Sequence, residues 1–175
     1  LCCTYCRGKA FSVEPPDLPD IVIDEDLPVE LAIDLDDLYR FLAKDPDAVL
    51  TFYGGEPLLA AGFIREITRD APVSALILHT NGTLLDRLEP ETVNRFDTIL
   101  VSIDGPETLT DAHRGAGTFG RITRNLNALM AGGYSGELIA RMTVTEDTDI
   151  EEAVRYLAAN DRFSFPAVHW QMDAN

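Results

Sequence analysis

At 175 residues, with 46% hydrophobic side chains spread along its length, the chain is long enough for one domain that buries about two thirds of the surface its unfolded form exposes. It holds no apolar run of the ~18 residues that a membrane-spanning helix needs. Acidic side chains number 30 against 14 basic ones, a formal net charge of −16, and a surface so charged repels phosphates and argues against nucleic acid as a partner.

The chain opens "LCCTYC", which contains all of its cysteines, Cys2, Cys3 and Cys6. An odd number packed this tightly does not pair internally without strain, so a reducing compartment is expected, the cytoplasm. The start on Leu1 has no basic-then-apolar order of a signal peptide, and the chain reads as a piece of a longer protein, truncated at both ends. Lys9 and Lys44 are its only lysines. The acidic, lysine-poor surface is either a well-solvated one or a sign of an archaeal, halophilic source, where screening over ~3 Å at molar salt relieves self-repulsion.

Next comes the Pro- and Asp-rich "SVEPPDLPDIVIDEDLPVELAID", which no regular helix tolerates. A short helix is predicted over Asp36 to Lys44, where Leu35, Leu38, Tyr39 and Leu42 share a face. Five apolar runs then read as buried strands: 48–53, 74–80, 98–103, 137–144 and 167–172. Between them fall predicted helices. One runs from Pro57 to Arg69 with Leu58, Leu59, Phe63 and Ile67 inward, and a short one lies near Pro90 to Arg95. A longer one runs from Thr118 to Met130 with Phe119, Ile122, Leu126 and Leu129 inward. The last spans Ile150 to Ala159 and is opened by a capping box at Thr148 and Glu151. Strand and helix alternate, which implies parallel strands with right-handed crossovers, in a doubly wound sheet or a β/α barrel. In both, ligands bind at the carboxyl ends of the strands.

Those ends carry the polar motifs. "FYGGEP" follows the first strand: Gly54 and Gly55 let the main chain come close to a ligand, Pro57 starts a helix, and Glu56 is placed to meet a cation. Thr80 and Asn81 end the second strand, and Ser102 and Asp104 the third, together forming a rim suited to a small polar ligand. Arg114, before Gly-x-Gly-Thr, is a candidate anion clamp. Its neighbour His113 reads as a surface residue. Arg141 lies inside the fourth strand and requires an anion, whether from an internal salt bridge or from a ligand. Cys3-x-x-Cys6 by itself suits a redox dithiol, half a zinc site or part of an iron-sulfur site. Zinc lacks a second ligand pair, because His79, His113 and His169 are isolated, and a thioredoxin-like dithiol does not fit the number of strands. Iron-sulfur ligation remains.

In order, Cys-x-Tyr-Cys, Gly-Gly-Glu-Pro, Thr-Asn-Gly and Ser-Ile-Asp-Gly with a downstream Arg-Gly resemble the radical S-adenosylmethionine (SAM) superfamily, in its peptide- and protein-modifying branch with the anaerobic sulfatase maturases. The resemblance runs from Cys3 to Arg141. It implies a partial (β/α)6 TIM-like barrel whose first strand precedes this segment, with residues 1–175 as the radical SAM core. Cys3 and Cys6 would hold a 4Fe-4S cluster as the last two cysteines of C-x-x-x-C-x-x-C, the first lying two positions before Leu1, and Cys2 would not ligate. Without that first cysteine the segment alone is expected to be inactive. Tyr5 would pack near the adenine of SAM, and Gly54, Gly55, Glu56 and Pro57 would receive its amino group. Thr80, Asn81 and Asp104 would line the floor near ribose or substrate. Ser102 and Arg114 would hold the SAM carboxylate, with Arg141 a second candidate. His169, Trp170 and Gln171 would orient substrate and exclude water. The implied partners are a peptide or protein substrate and an electron donor such as a ferredoxin or flavodoxin. The alternatives are a non-radical β/α-barrel enzyme with Arg114 and Arg141 on a phosphorylated small molecule, and a binding module that keeps the barrel without catalysis.

Overall fold

The computed structural model describes residues 3–5, 33–160, 162–163 and 165–173. Cys2, Cys6 and nearly all of the Pro- and Asp-rich stretch lie outside them. Helix α1 (Leu35–Leu42) is opened by Asp34, whose carboxylate accepts from the amides of Asp36 and Asp37. It packs Leu35, Leu38, Tyr39 and Leu42 against Ile67 and Ala71. There follow β1 (Val49–Phe52), a 3-10 turn (Pro57–Ala60), α2 (Ala61–Asp70), β2 (Ala75–Thr80), a second 3-10 turn (Leu85–Arg87), α3 (Pro90–Val93) and β3 (Thr98–Ser102). Then come α4 (Glu107–Arg114), α5 (Thr118–Ala131), β4 (Glu137–Val144), α6 (Ile150–Ala158) and β5 (Ala167–Met172).

All four strand pairings are parallel, and the strands lie side by side in chain order, β1 to β5. A doubly wound sheet reverses its strand order at a switch point; sequential order is that of a partial β/α barrel. Side chains alternate across the sheet. One face, with Leu76, Leu78, Ile99, Val101, Leu138, Ala140 and Met142, forms the core with Ile64, Phe119, Ile122, Leu126 and Leu157 of the helices. Among the described residues, the other face carries no helix of the core. Its side chains are apolar and partly buried toward the amino ends (Ile77, Leu100, Ile139) and polar toward the carboxyl ends.

Several local expectations are corrected. Pro57 opens a 3-10 turn rather than the helix, and the tighter winding changes the phase of the side chains, so Leu58 is fully buried while Leu59 is 70% exposed. The cap of α6 is Asp149, whose carboxylate accepts from the Glu152 amide at 3.0 Å; Thr148 instead bonds the Thr145 amide and hydroxyl. Helix α4 is not among the predicted elements, and its buried residues are Thr110, His113 and Arg114. His113 is therefore a buried residue. Asp111 of α4 accepts from the amides of Gly117 (2.7 Å) and Phe119 (2.8 Å), which turns the chain into α5 through a left-handed Gly117 with φ of 76°.

Candidate functional site

The strand ends form two connected groups along one edge of the sheet. In the first, Glu56 joins the ends of β1 and β2. Its Oε1 accepts from the Leu58 amide (3.1 Å) and the Thr80 hydroxyl (2.8 Å), and its Oε2 from the Asn81 amide (2.7 Å). The Asn81 side chain in turn accepts from the amide and hydroxyl of Thr83. A carboxylate has about four acceptor sites, so Glu56 keeps capacity for a further donor. Beside it, a Cβ added at Gly54 or Gly55 would meet nothing within 4 Å. Packing does not demand glycine at either position, although the φ of +157° at Gly54 is one that residues with side chains rarely adopt; an open backbone beside an acid suits the close approach of a ligand.

The second group surrounds Asp104, which is fully buried. Its Oδ1 accepts from Arg114 Nη2 (2.8 Å) and the Thr143 amide (2.9 Å), and its Oδ2 from Arg114 Nε (2.8 Å) and the Tyr5 hydroxyl (2.7 Å). His113 Nδ1 lies 3.5 Å from Oδ2. Burial, reinforced by the negative charge of Asp104, pushes the Tyr5 hydroxyl far above its ordinary range although Arg114 opposes it. Tyr5 is therefore protonated and a donor to Asp104 at neutral pH. Burial opposes the charge of Arg114, but Asp104 outweighs it and keeps the guanidinium charged. These three predicted ligand residues thus have one another as partners.

Arg141 differs. It projects from β4 in register with Ser102 and His169. Its guanidinium donates to Gln171 Oε1 (2.9 Å) and lies 5.6 Å from the centroid of the Tyr53 ring. No carboxylate among the described residues pairs with it. Tyr53 meets the His79 ring edge-on at 5.2 Å. His79 Nδ1 is buried without a hydrogen-bond partner among the described residues. Burial, with Arg141 and His169 adding positive charge, pulls the His79 imidazole below its ordinary value. The open face at the carboxyl ends therefore presents Ser102, Arg141, Tyr53, His79 and Gln171. Trp170 alternates with Gln171 and, in phase with core-facing Val168, turns to the other side. Tyr53 and His79 were not among the predicted site residues; the clue in the sequence was that His79 alternates with the apolar Leu76 and Leu78.

Among the described residues no group of three or more His, Cys, Asp or Glu gathers to hold a metal. Cys3 lies close enough to Tyr5 and Arg114 for its charge to act on both. No helix among the described residues is long and apolar enough to cross a membrane.

Parallel strands in chain order, flanked by helices, define a partial β/α barrel, a fold class whose ligands bind at the carboxyl ends of the strands. No protein-family model matches the chain, and neither does any curated protein. Among solved structures it is similar to native anSMEcpe with bound AdoMet, at 24% identity and a TM-score of 0.68, over 99% of this chain and 48% of that one. It is also similar to native anSMEcpe with bound AdoMet and a Kp18Cys peptide, at 22% identity and a TM-score of 0.69, over 100% of this chain and 48% of that one. The chain thus spans about half the length of the structures it matches. At these identities the likeness shows a shared fold.

Proposed function

We propose that this chain is the core of a radical SAM enzyme that modifies a peptide or protein, and that its strand-end rim binds SAM. One observation carries the reading. Glu56, bonded at the ends of β1 and β2, and Arg141 on β4, which pairs with no carboxylate among the described residues, supply from one sheet the acid and the base that an α-amino acid group needs. The open backbone at Gly54 and Gly55 fits the approach of an ammonium group to Glu56. Ser102 and Arg141, adjacent across β3 and β4, fit a carboxylate better than Arg114 does, because Asp104 already takes two guanidinium nitrogens of Arg114. The same pairing weighs against a phosphate-binding barrel that would use both arginines. The likeness to a structure with bound AdoMet and a peptide supports the choice of cofactor and substrate class.

Cys3 and Cys6 would hold the 4Fe-4S cluster together with a cysteine two positions before Leu1. When bound, the reduced cluster and SAM supply a 5'-deoxyadenosyl radical that abstracts hydrogen from the substrate. This chain's residues bind and orient. Glu56 takes the ammonium, Ser102 and Arg141 take the carboxylate, and the Tyr53 ring steadies the Arg141 guanidinium that it faces. His79, neutral at pH 7, offers a buried nitrogen to cofactor or substrate. A cytoplasmic setting and a ferredoxin or flavodoxin as electron donor belong to the same reading. The test is SAM binding by the full-length, anaerobically purified protein carrying Glu56→Gln. The amide keeps the shape but loses the charge, and a charge-assisted hydrogen bond is worth about 1.5–3 kcal/mol, so SAM should bind ~10–100-fold more weakly. Unchanged affinity would remove the site from this rim.

A further inference from the structure

The resemblance assigns Tyr5, Asp104 and Arg114 to cofactor contacts, yet their side chains close on one another, which leaves a different use for them. We propose that Asp104 is a positioning residue: clamped by Arg114 and β4, its carboxylate anchors Tyr5 and so fixes the Cys3 turn at the carboxyl end of β3.

Asp104 is held from both sides. The guanidinium of Arg114 donates through Nε to one carboxylate oxygen and through Nη2 to the other, both at 2.8 Å. This planar fork sets the orientation of the carboxylate. The Thr143 amide on β4 adds a third donor at 2.9 Å. The remaining strong contact of Oδ2 is the Tyr5 hydroxyl at 2.7 Å, across a sequence separation of 99 residues. Around this bond the turn makes three more contacts. The Thr4 amide donates to the His113 carbonyl at 2.9 Å, and the Tyr5 ring meets the His113 ring edge-on at 5.5 Å. The Arg114 guanidinium also lies 5.4 Å from the centroid of the Tyr5 ring. The turn that carries Cys3 is thus tied to the end of α4 through His113 and Arg114, and to Asp104 through the Tyr5 hydroxyl.

The docking does not depend on what Cys3 binds; only its use, to present a thiolate to iron, rests on the function proposed above. The experiment uses the full-length, iron-free protein carrying Tyr5→Phe, which deletes the hydroxyl and keeps the ring and the Asp104–Arg114 pair. Alkylation of Cys3 by iodoacetamide, resolved from Cys2 and Cys6 by tandem mass spectrometry, and hydrogen exchange at the Thr4 amide are compared with wild type. Both should speed up about fivefold, the factor that one hydrogen bond of ordinary net strength confers, while Tm moves by less than ~2 °C. Arg114→Lys, which keeps the charge and loses the fork, should accelerate Cys3 labelling in the same direction. Rates equal to wild type in Tyr5→Phe would overturn the proposal. So would an acceleration matched at the core amides of β2 and β3, because that reports general loosening. Iron content of the wild-type protein is a separate readout that bears on the proposed function alone.

Discussion

Replacing Asp104 with Ala removes the partner of a guanidinium that is itself only 5% exposed. It also strips acceptors from the Thr143 amide and the Tyr5 hydroxyl. Removing one member of a buried ion pair costs about 3–5 kcal/mol, because the other charge is left in a site from which water is excluded. Total stabilities of about 5–15 kcal/mol make this a large fraction. In urea-induced unfolding of the full-length protein followed by circular dichroism, the transition of this domain should move to lower denaturant by that amount. The double variant Asp104→Leu with Arg114→Met should recover the part of the loss that comes from the unpaired charge, while the Thr143 amide and the Tyr5 hydroxyl stay without their acceptor and keep it below wild type. An Asp104→Ala protein within about 1 kcal/mol of wild type would refute the buried pair as described, since even a single unsatisfied buried donor costs about that much.

His79 should titrate, by NMR of its imidazole, with a midpoint below the ordinary 6.5, and Arg141→Met should raise that midpoint by removing one of the charges that depress it. The sign for stability follows: the unfolded chain takes up the proton near 6.5 and the folded chain resists it. The contribution of neutral His79 is therefore full above 6.5 and is lost as pH falls through the lower folded value. A midpoint at or above 6.5 contradicts the packing of Tyr53 and Arg141 around it. Gly82→Ala should destabilise by about 1–3 kcal/mol in the same urea assay, because Gly82 has φ of +75° and a Cβ there would stand 2.8 Å from Val101 Cγ1; a neutral effect would contradict the turn after β2. With a net charge of −16, Tm should rise steeply with KCl if the acidic surface is an adaptation to salt, and a flat response removes that reading.

What the sequence disclosed and what it hid have physical causes. One face of the sheet is buried against helices and the other is apolar toward the amino ends, so runs such as 98–103 stand out as mostly β-branched and apolar stretches. The stripe of Phe119, Ile122, Leu126 and Leu129 marks α5 just as clearly, and all four are buried. Helix α4 is concealed because what it buries is Thr110, His113 and Arg114, polar residues that no apolar periodicity reveals. Leu59 was misdirected by a helical period carried through a 3-10 turn. The strand-end motifs drew attention to Glu56, Thr80, Asn81, Ser102, Asp104 and Arg114, since glycine beside a polar residue after an apolar run is a local signal. Their partners are not local. That Glu56 bonds Thr80, that Asp104 takes Arg114 and Tyr5, and that Arg141 faces Gln171 and Tyr53 depend on strand register and crossover geometry, which residue types alone do not encode.

The most direct test of the account is iron analysis of the full-length protein, purified anaerobically, beside its Cys3→Ser variant. The account predicts a brown wild-type protein absorbing at about 400 nm and a loss of about four iron atoms per chain in the variant. Equal iron in the two proteins, or wild-type protein without iron, would contradict it.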